Sequence, residues 1–291
     1  MTSLLATAVR FLILTQWLTQ QVTGWVRPGN SCELGMAENA FDDQYVGCTE
    51  EMEAKAPQLL EEELKVNRNL RAEWKNAMEK WEEIKNKIDS SKRLKDSHGI
   101  ALVAYTGNIA IEFNEAVRNF RQNTHNFQFK AFHYYLTRAL QLLTTRECYT
   151  VYRGCKTKFD YSGKGNVRFG QFTSSSLSLL EAGRFLGYHE RTLFKITTCL
   201  GVKIENFSRY QYEKEVLIPG YEVYQEVIKE NDYISLRKPN ISKSNYNCYY
   251  ITTNSPRIPD SNFNSSGTKE SSAFILLLPG LLVLLLLPAE L

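Results

Sequence analysis

A change of pattern near Thr144 constrains the fold more than any other feature of this 291-residue chain. Ahead of it, the stretch from Pro57 to about Ile88 is rich in Glu, Lys, Leu and Trp. Trp74, Met78, Trp81, Ile84 and Ile88 recur there at three- and four-residue steps, a spacing that predicts a helix with one apolar stripe. "NFQFKAFHYYLTRALQLL" repeats the signal, with Phe132, Tyr135, Leu136, Ala139, Leu140 and Leu143 on one face, and its aromatics read as core. After Thr144 the segments are short and β-rich: "CYTVYRG", "VRFGQFTSSS", "RTLFKITTCLGVKI", "EVLIPGYEVYQEVI" and "NYNCYYI", separated by Gly, Ser and Asn. Helices first and strands second predict an α+β fold rather than alternating α/β. No internal repeat and no clear linker divides the chain.

The two ends read as processing signals. Residues 1–24 carry Arg10, then the apolar Phe11-Leu12-Ile13-Leu14, then a small, polar exit at Gln20 to Gly24. That is the pattern of a secretory signal peptide, too short and too weakly apolar to span a bilayer. At the other end, residues 267–291 follow small residues with a polar spacer and an apolar tail from Phe274 onward. No basic stop-transfer cluster follows it. A glycolipid-anchor signal has this form, with Ser265 or Ser266 as the attachment residue; a single-pass helix with almost no cytoplasmic tail is the alternative. Residues 25–266 then form a single domain, with enough chain for one good-sized core.

The net charge of +3 discriminates little, and no basic cluster points to nucleic acid. Asn206, Asn240 and Asn264 stand in Asn-x-Ser sequons, consistent with a secreted glycoprotein. All 6 cysteines lie between the two end signals and so meet an oxidising compartment, but spacing alone leaves their pairing open. There is no C-x-x-C pair and no H-E-x-x-H, so the sequence offers no zinc site. Nor does any motif single out a nucleophilic cysteine with its base.

Three segments carry candidate chemistry. Arg153 ends the apolar strand of "VYRG", where a guanidinium can clamp a phosphate or form a surface ion pair. "FTSSS" offers hydroxyls, Ser174 among them. In "YEKEVLIPGYEV", Glu213 and Glu215 alternate ahead of an apolar run that ends at Pro219-Gly220. As a strand this puts both carboxylates on one face and Lys214 on the other. Like charges there repel, so the pair is either a solvated strand end or a site. "SGKGNVRFG" matches neither a dinucleotide fingerprint nor a P-loop and reads as a hairpin turn.

Arg, Ser and Glu-x-Glu, in that order and each at a strand, resemble the R-S-E-x-E signature of the ADP-ribosyltransferases. "AFDDQYVGC", "KAPQLL", "ALVAYTGNIA", "KAFHYYLTRALQLL", "VRFGQFTSSSLS", "TCLGV" and "EVLIPGYEVYQ" extend the resemblance over essentially the whole chain, to the T-cell branch of the glycolipid-anchored, arginine-specific ecto-ADP-ribosyltransferases. The resemblance implies a β-rich core of two packed sheets around an NAD cleft. It implies transfer of ADP-ribose from NAD (or NADP) to arginines of extracellular or cell-surface proteins, with accompanying NAD hydrolysis. NAD is then a substrate, and no permanent cofactor is implied. The protein would be a monomer on the outer leaflet of the plasma membrane. Glu215 would stabilise the sugar cation, Ser174 would support Glu215 and the nicotinamide pocket, Arg153 would grip the NAD phosphate, and the backbone of Gly154 would hold the nicotinamide amide. Glu213 would orient the acceptor guanidinium, with Phe207, Tyr210 and Tyr212 available either to stack on it or to pack the loop. Relatives with Gln in place of Glu213 mainly hydrolyse NAD, so Glu213 favours transfer. The resemblance also pairs Cys48 with Cys248 and Cys148 with Cys199. It leaves Cys32 and Cys155, the latter where the family often has Thr, as a third bridge or as two free thiols. An NAD glycohydrolase and a decayed surface recognition protein are the other two readings.

Overall fold

The computed structural model describes residues 32–251, apart from 90–92, 187–190, 232 and 242. Both proposed end signals, Asn264, Ser265 and Ser266 lie outside the described residues.

Among the described residues, five α-helices precede the main run of strands: α1 (Thr49–Val66), α2 (Arg68–Ile84), α3 (Asp96–Tyr105), α4 (Ile109–Arg118) and α5 (Lys130–Leu143). The single helix expected from Pro57 onward is two. Helix α1 starts earlier, at Thr49, and the chain breaks at Asn67, whose side chain accepts from the Leu70 amide and caps α2. The buried stripe of α2 is Leu70, Trp74, Ala77, Trp81 and Ile84. Met78, assigned to that stripe from its spacing, is instead 47% exposed. The stripe needs small neighbours, because a Cβ on Gly99 of α3 would lie 2.4 Å from the Trp81 ring. Helix α5 is buried on almost every side between Ala131 and Leu140, with Leu143 only half-buried. Its first turn receives the Glu63 carboxylate from α1, which accepts from the Ala131 amide at 3.0 Å. That satisfies a helix-start donor from a distant element.

The strands are β1 (Cys32–Glu33), β2 (Tyr149–Cys155), β3 (Phe159–Asp160), β4 (Thr173–Ser176), β5 (Thr192–Thr198), β6 (Val202–Lys203), β7 (Glu215–Ile218), β8 (Glu222–Lys229) and β9 (Ile234–Ile241). A short helix, α6 (Leu179–Gly183), follows β4. Strands β1 and β3 form a small parallel pair, and the other seven run β6-β7-β4-β2-β5-β9-β8. The junction between β4 and β2 holds only one registered pair, Tyr152 with Ser176. On one side lie β6, β7 and β4; on the other, β2, β5, β9 and β8. The two halves bury a shared core, with Val216 and Ile218 from the first against Val151, Phe194, Ile196 and Leu236 from the second. The gap where β2 and β4 part is where the candidate site residues gather.

Two expectations fail here for identifiable reasons. "SGKGNVRFG" does turn, with positive φ at Gly163 and Gly165, but it closes no hairpin, because Val167 bonds to Tyr224 of β8. "NYNCYYI" forms no strand. Its amides go to carboxylates, Asn245 and Tyr246 to Asp42, and Cys248 and Tyr249 to Asp43. The Cys48–Cys248 disulfide closes the same latch, and Cys148–Cys199 joins the start of β2 to the end of β5.

Candidate active site

Arg153, Gly154, Ser174, Glu213 and Glu215 converge on one recess at the sheet junction, roofed by Ala182 and Phe185. The recess is only about 20 Å³, tight around polar atoms. Arg153 bridges the parted strands, donating from Nη1 to the Ser174 carbonyl at 2.5 Å. Its Nη2 is buried with no hydrogen-bond partner, as are the Ser174 and Ser175 hydroxyls and both Glu215 carboxylate oxygens. Burying polar atoms unpaired costs on the order of 1–3 kcal/mol each. A cluster of five is a set of contacts held for a polar ligand rather than for the fold.

Glu215 opens β7 and is 3% exposed. Burial pushes its pKa up to about 7, while the Ser174 and Ser208 hydroxyls and the Arg153 charge work against the rise. Those hydroxyls approach the carboxylate without closing a hydrogen bond of full geometry. Glu213 differs from expectation. It ends a 3₁₀ turn (Gln211–Glu213), and Lys214 takes a left-handed conformation with φ 47°, so Glu-Lys-Glu is a turn running into a strand. The turn brings Glu213 into the recess from the loop, while Glu215 enters it from the strand. The turn is held by Ser176 Oγ, which donates to the Glu213 carbonyl at 2.7 Å, and by the Leu177 amide, which donates to the Lys214 carbonyl at 3.2 Å. Burial first, then the nearby Glu215 and Glu181 carboxylates, raise the Glu213 pKa to about 8, and Arg184 opposes this.

Gly154 has a steric reason. A Cβ there would sit 2.2 Å from the Ala182 carbonyl, so α6 packs directly on the β2 backbone. Of the three loop aromatics, Phe207 faces inward and stacks on Trp81, with centroids 6.1 Å apart and planes 6° apart. It is therefore unavailable to a guanidinium. Tyr212 stays open beside Glu213, with Tyr210 against it at 6.3 Å. Two residues that the sequence analysis did not single out support the recess from the helices. Tyr105 donates to the Phe172 carbonyl at 3.0 Å and accepts from Asn114 Nδ2 at 3.0 Å. It lies close enough to Glu215, Arg153 and Ser174 for their charges and hydroxyl to act on it. Neither residue carries a local signal, because both act on the recess across tertiary contacts.

Behind Arg153 lies a larger cavity of about 270 Å³, lined by Arg118, Arg168, Gln171 and both remaining cysteines. Cys32 and Cys155 are free thiols, and burial raises the pKa of each. A raised thiol pKa lowers the thiolate fraction and with it the reactivity. Asn206 and Asn240 are exposed, as sequon asparagines must be to carry a glycan.

The family model for NAD:arginine ADP-ribosyltransferases matches residues 34–244. The T-cell ecto-ADP-ribosyltransferase 2 of Mus musculus is 53% identical over 286 residues, covering 96% of this chain and 97% of that protein. The GPI-linked NAD(P)(+)–arginine ADP-ribosyltransferase 1 of Mus musculus is 38% identical, covering 88% of this chain and 85% of its own. Among solved structures, the eukaryotic mono-ADP-ribosyltransferase ART2.2 in complex with NADH matches with a TM-score of 0.73 at 54% identity, over 75% of this chain and 99% of that one.

Proposed function

The chain belongs to the NAD:arginine ADP-ribosyltransferases, enzymes that take NAD as a substrate and transfer its ADP-ribose to arginine, and on that premise we propose how its own residues divide the work. Glu215 faces the reacting ribose. As the bond to nicotinamide breaks, positive charge develops on the sugar, and a buried carboxylate stabilises it. Arg153 presents its unpaired Nη2 to the diphosphate. Ser174 sets the Glu215 carboxylate, and the backbone of Gly154 holds the nicotinamide amide. Glu213 pairs with the acceptor guanidinium, which attacks the ribose carbon as nicotinamide leaves with the bonding electrons. The guanidinium proton passes to Glu213, whose pKa of about 8 suits a base in that range. Water in place of the guanidinium gives accompanying NAD hydrolysis.

The observation that carries this reading is the cluster of unpaired buried polar atoms on Arg153, Ser174 and Glu215 beside the raised Glu213. The test incubates the full-length protein with labelled NAD, with and without agmatine. ADP-ribosyl-agmatine should form, and release of ADP-ribose alone would make the protein a glycohydrolase.

The acceptors are extracellular or cell-surface proteins, and the protein acts at the outer face of the plasma membrane. Residues 1–24 serve as the signal peptide, and residues 267–291 are exchanged for a glycolipid at Ser265 or Ser266. What supports this is the pattern of the two ends, together with the ecto- and GPI-linked relatives. Among the described residues no helix is long and apolar enough to cross a membrane. A phosphatidylinositol-specific phospholipase should release the protein from cells; retention with the apolar tail still present would establish a spanning segment.

A further inference from the structure

Seven large apolar side chains are strongly exposed among the described residues, and three of them, Leu179, Leu180 and Tyr212, belong to the two segments that meet at Glu213. Leu180 is 70% exposed, Tyr212 52% and Leu179 46%. The bonds that shape the turn tie the two segments together. Ser176 Oγ donates to the Glu213 carbonyl and accepts from the Ser178 amide at 2.9 Å, and the Leu177 amide donates to Lys214. Ser178 then caps α6 by accepting from the Glu181 amide. The leucines therefore begin two residues after a direct link to the Glu213–Glu215 turn, and Tyr212 precedes Glu213 directly. Glu181, with its side chain only 14% exposed, acts electrostatically on both Tyr212 and Glu213 and is paired to Arg184 at 2.9 Å.

We propose that Leu179, Leu180 and Tyr212 form an apolar rim around the acceptor carboxylate that binds the residues flanking the target arginine, so that the enzyme selects arginines set next to apolar or aromatic side chains. The inference rests on the reading of Glu213 as the acceptor site. The occupant follows from charge and surface together. Glu213 calls for a cation at the centre, and the leucines call for apolar neighbours around it. A bare guanidinium such as agmatine reaches the carboxylate and leaves the rim uncovered. A protein segment covers both.

The test gives the full-length protein labelled NAD and three acceptors: agmatine, a short peptide with arginine between leucine and phenylalanine, and the same peptide with serines in those places. The apolar peptide should have the higher kcat/KM of the two. Leu180→Ser should lower that value about three- to tenfold, as expected for losing one partly covered leucine. Its agmatine transfer and NAD hydrolysis should not change. Equal use of both peptides by the parent, or no loss in the Leu180→Ser protein, overturns the rim. So does a Leu180→Ser protein that loses agmatine transfer to the same extent, since the leucine would then support the recess itself. Binding of the parent to phosphatidylcholine vesicles through these leucines, with no peptide preference, would assign the rim to lipid instead. A parent that does not modify agmatine at all removes the acceptor reading, and the rim with it.

Discussion

Two groups of buried carboxylates in this molecule are built in opposite ways. Glu222 of β8 accepts from the Thr198 hydroxyl, the Cys199 and Leu200 amides and the Tyr224 hydroxyl. Asp43 accepts from the amides of Tyr45, Cys248 and Tyr249, and Glu63 from those of Ala131 and Phe132. Burial raises the pKa of all three, and those donors oppose the rise. In the recess, Glu215 is as deeply buried with neither oxygen bonded, and at Glu213 only Arg184 opposes the rise. The first group organises chain: a helix start, the turn after β5 and the C-terminal latch. The second group is left wanting, at a cost to stability that substrate would repay on binding. A buried carboxylate with every lone pair occupied is architecture, and one with none occupied is poised for a ligand.

The sharpest way to break that contrast is Glu215→Gln. It should lower both transfer to agmatine and NAD hydrolysis by roughly a hundredfold or more, by removing the charge that faces the sugar cation. A folded variant with near-parental turnover would end the assignment. Glu213→Gln should separate the two activities. Transfer to agmatine should fall about tenfold or more with the loss of a charge-assisted pair, while hydrolysis changes only severalfold. Equal loss of both would move Glu213 from acceptor binding to a structural role. In the architectural group, Asp43→Asn should do the reverse. It should destabilise the fold by about 1–3 kcal/mol, since one oxygen becomes a donor facing amide donors. Specific activity of the folded fraction should stay at the parental level, as read by denaturant unfolding alongside the agmatine assay.

Which parts were legible in sequence follows from how local each signal is. Arg153, Ser174 and Glu215 lie in short contiguous words, and the strand that carries each is read from its own neighbours. Glu213 was placed on a continuous strand because period two is a local rule. The bonds that hold the turn at Lys214 come from Ser176 and Leu177 of a distant segment and leave no mark on that local pattern. Tyr105 and Asn114 act across tertiary contacts from α3 and α4, so nothing in their own segments marks them. Met78 fits a helical spacing as well as Ala77 does, and only Gly99, on another helix, decides which face is covered. "NYNCYYI" has strand composition, but Asp42 and Asp43, two hundred residues earlier, take its amides. Strand β9 is hidden in the sequence because it carries Pro239, a residue that locally argues against a strand.

The pH dependence of stability has a sign that tests the contrast most directly. Glu215 has a folded-state pKa raised to about 7, above the ordinary glutamate range it would have in the unfolded chain. Protonated Glu215 is therefore favoured by the fold. Its contribution is fully present at pH values below the ordinary glutamate range and is lost as pH climbs through about 7. Glutamine keeps the neutral shape and cannot ionise. Glu215→Gln should accordingly match the parent near pH 4 and be more stable than it near pH 8, by up to about 3 kcal/mol. Glu63, raised in the same direction to about 7, titrates in both proteins and cancels in the difference. Glu213 lies close enough to couple to Glu215. Removing one carboxylate eases ionisation of the other, which adds to the gain at high pH without changing its sign. Asp43→Asn should be less stable than the parent at both pH values. Unfolding curves at pH 4 and pH 8 read all of this in one series. A Glu215→Gln protein less stable than the parent at pH 8 would mean that the carboxylate is held by bonds after all, and Glu215 would join the architectural group.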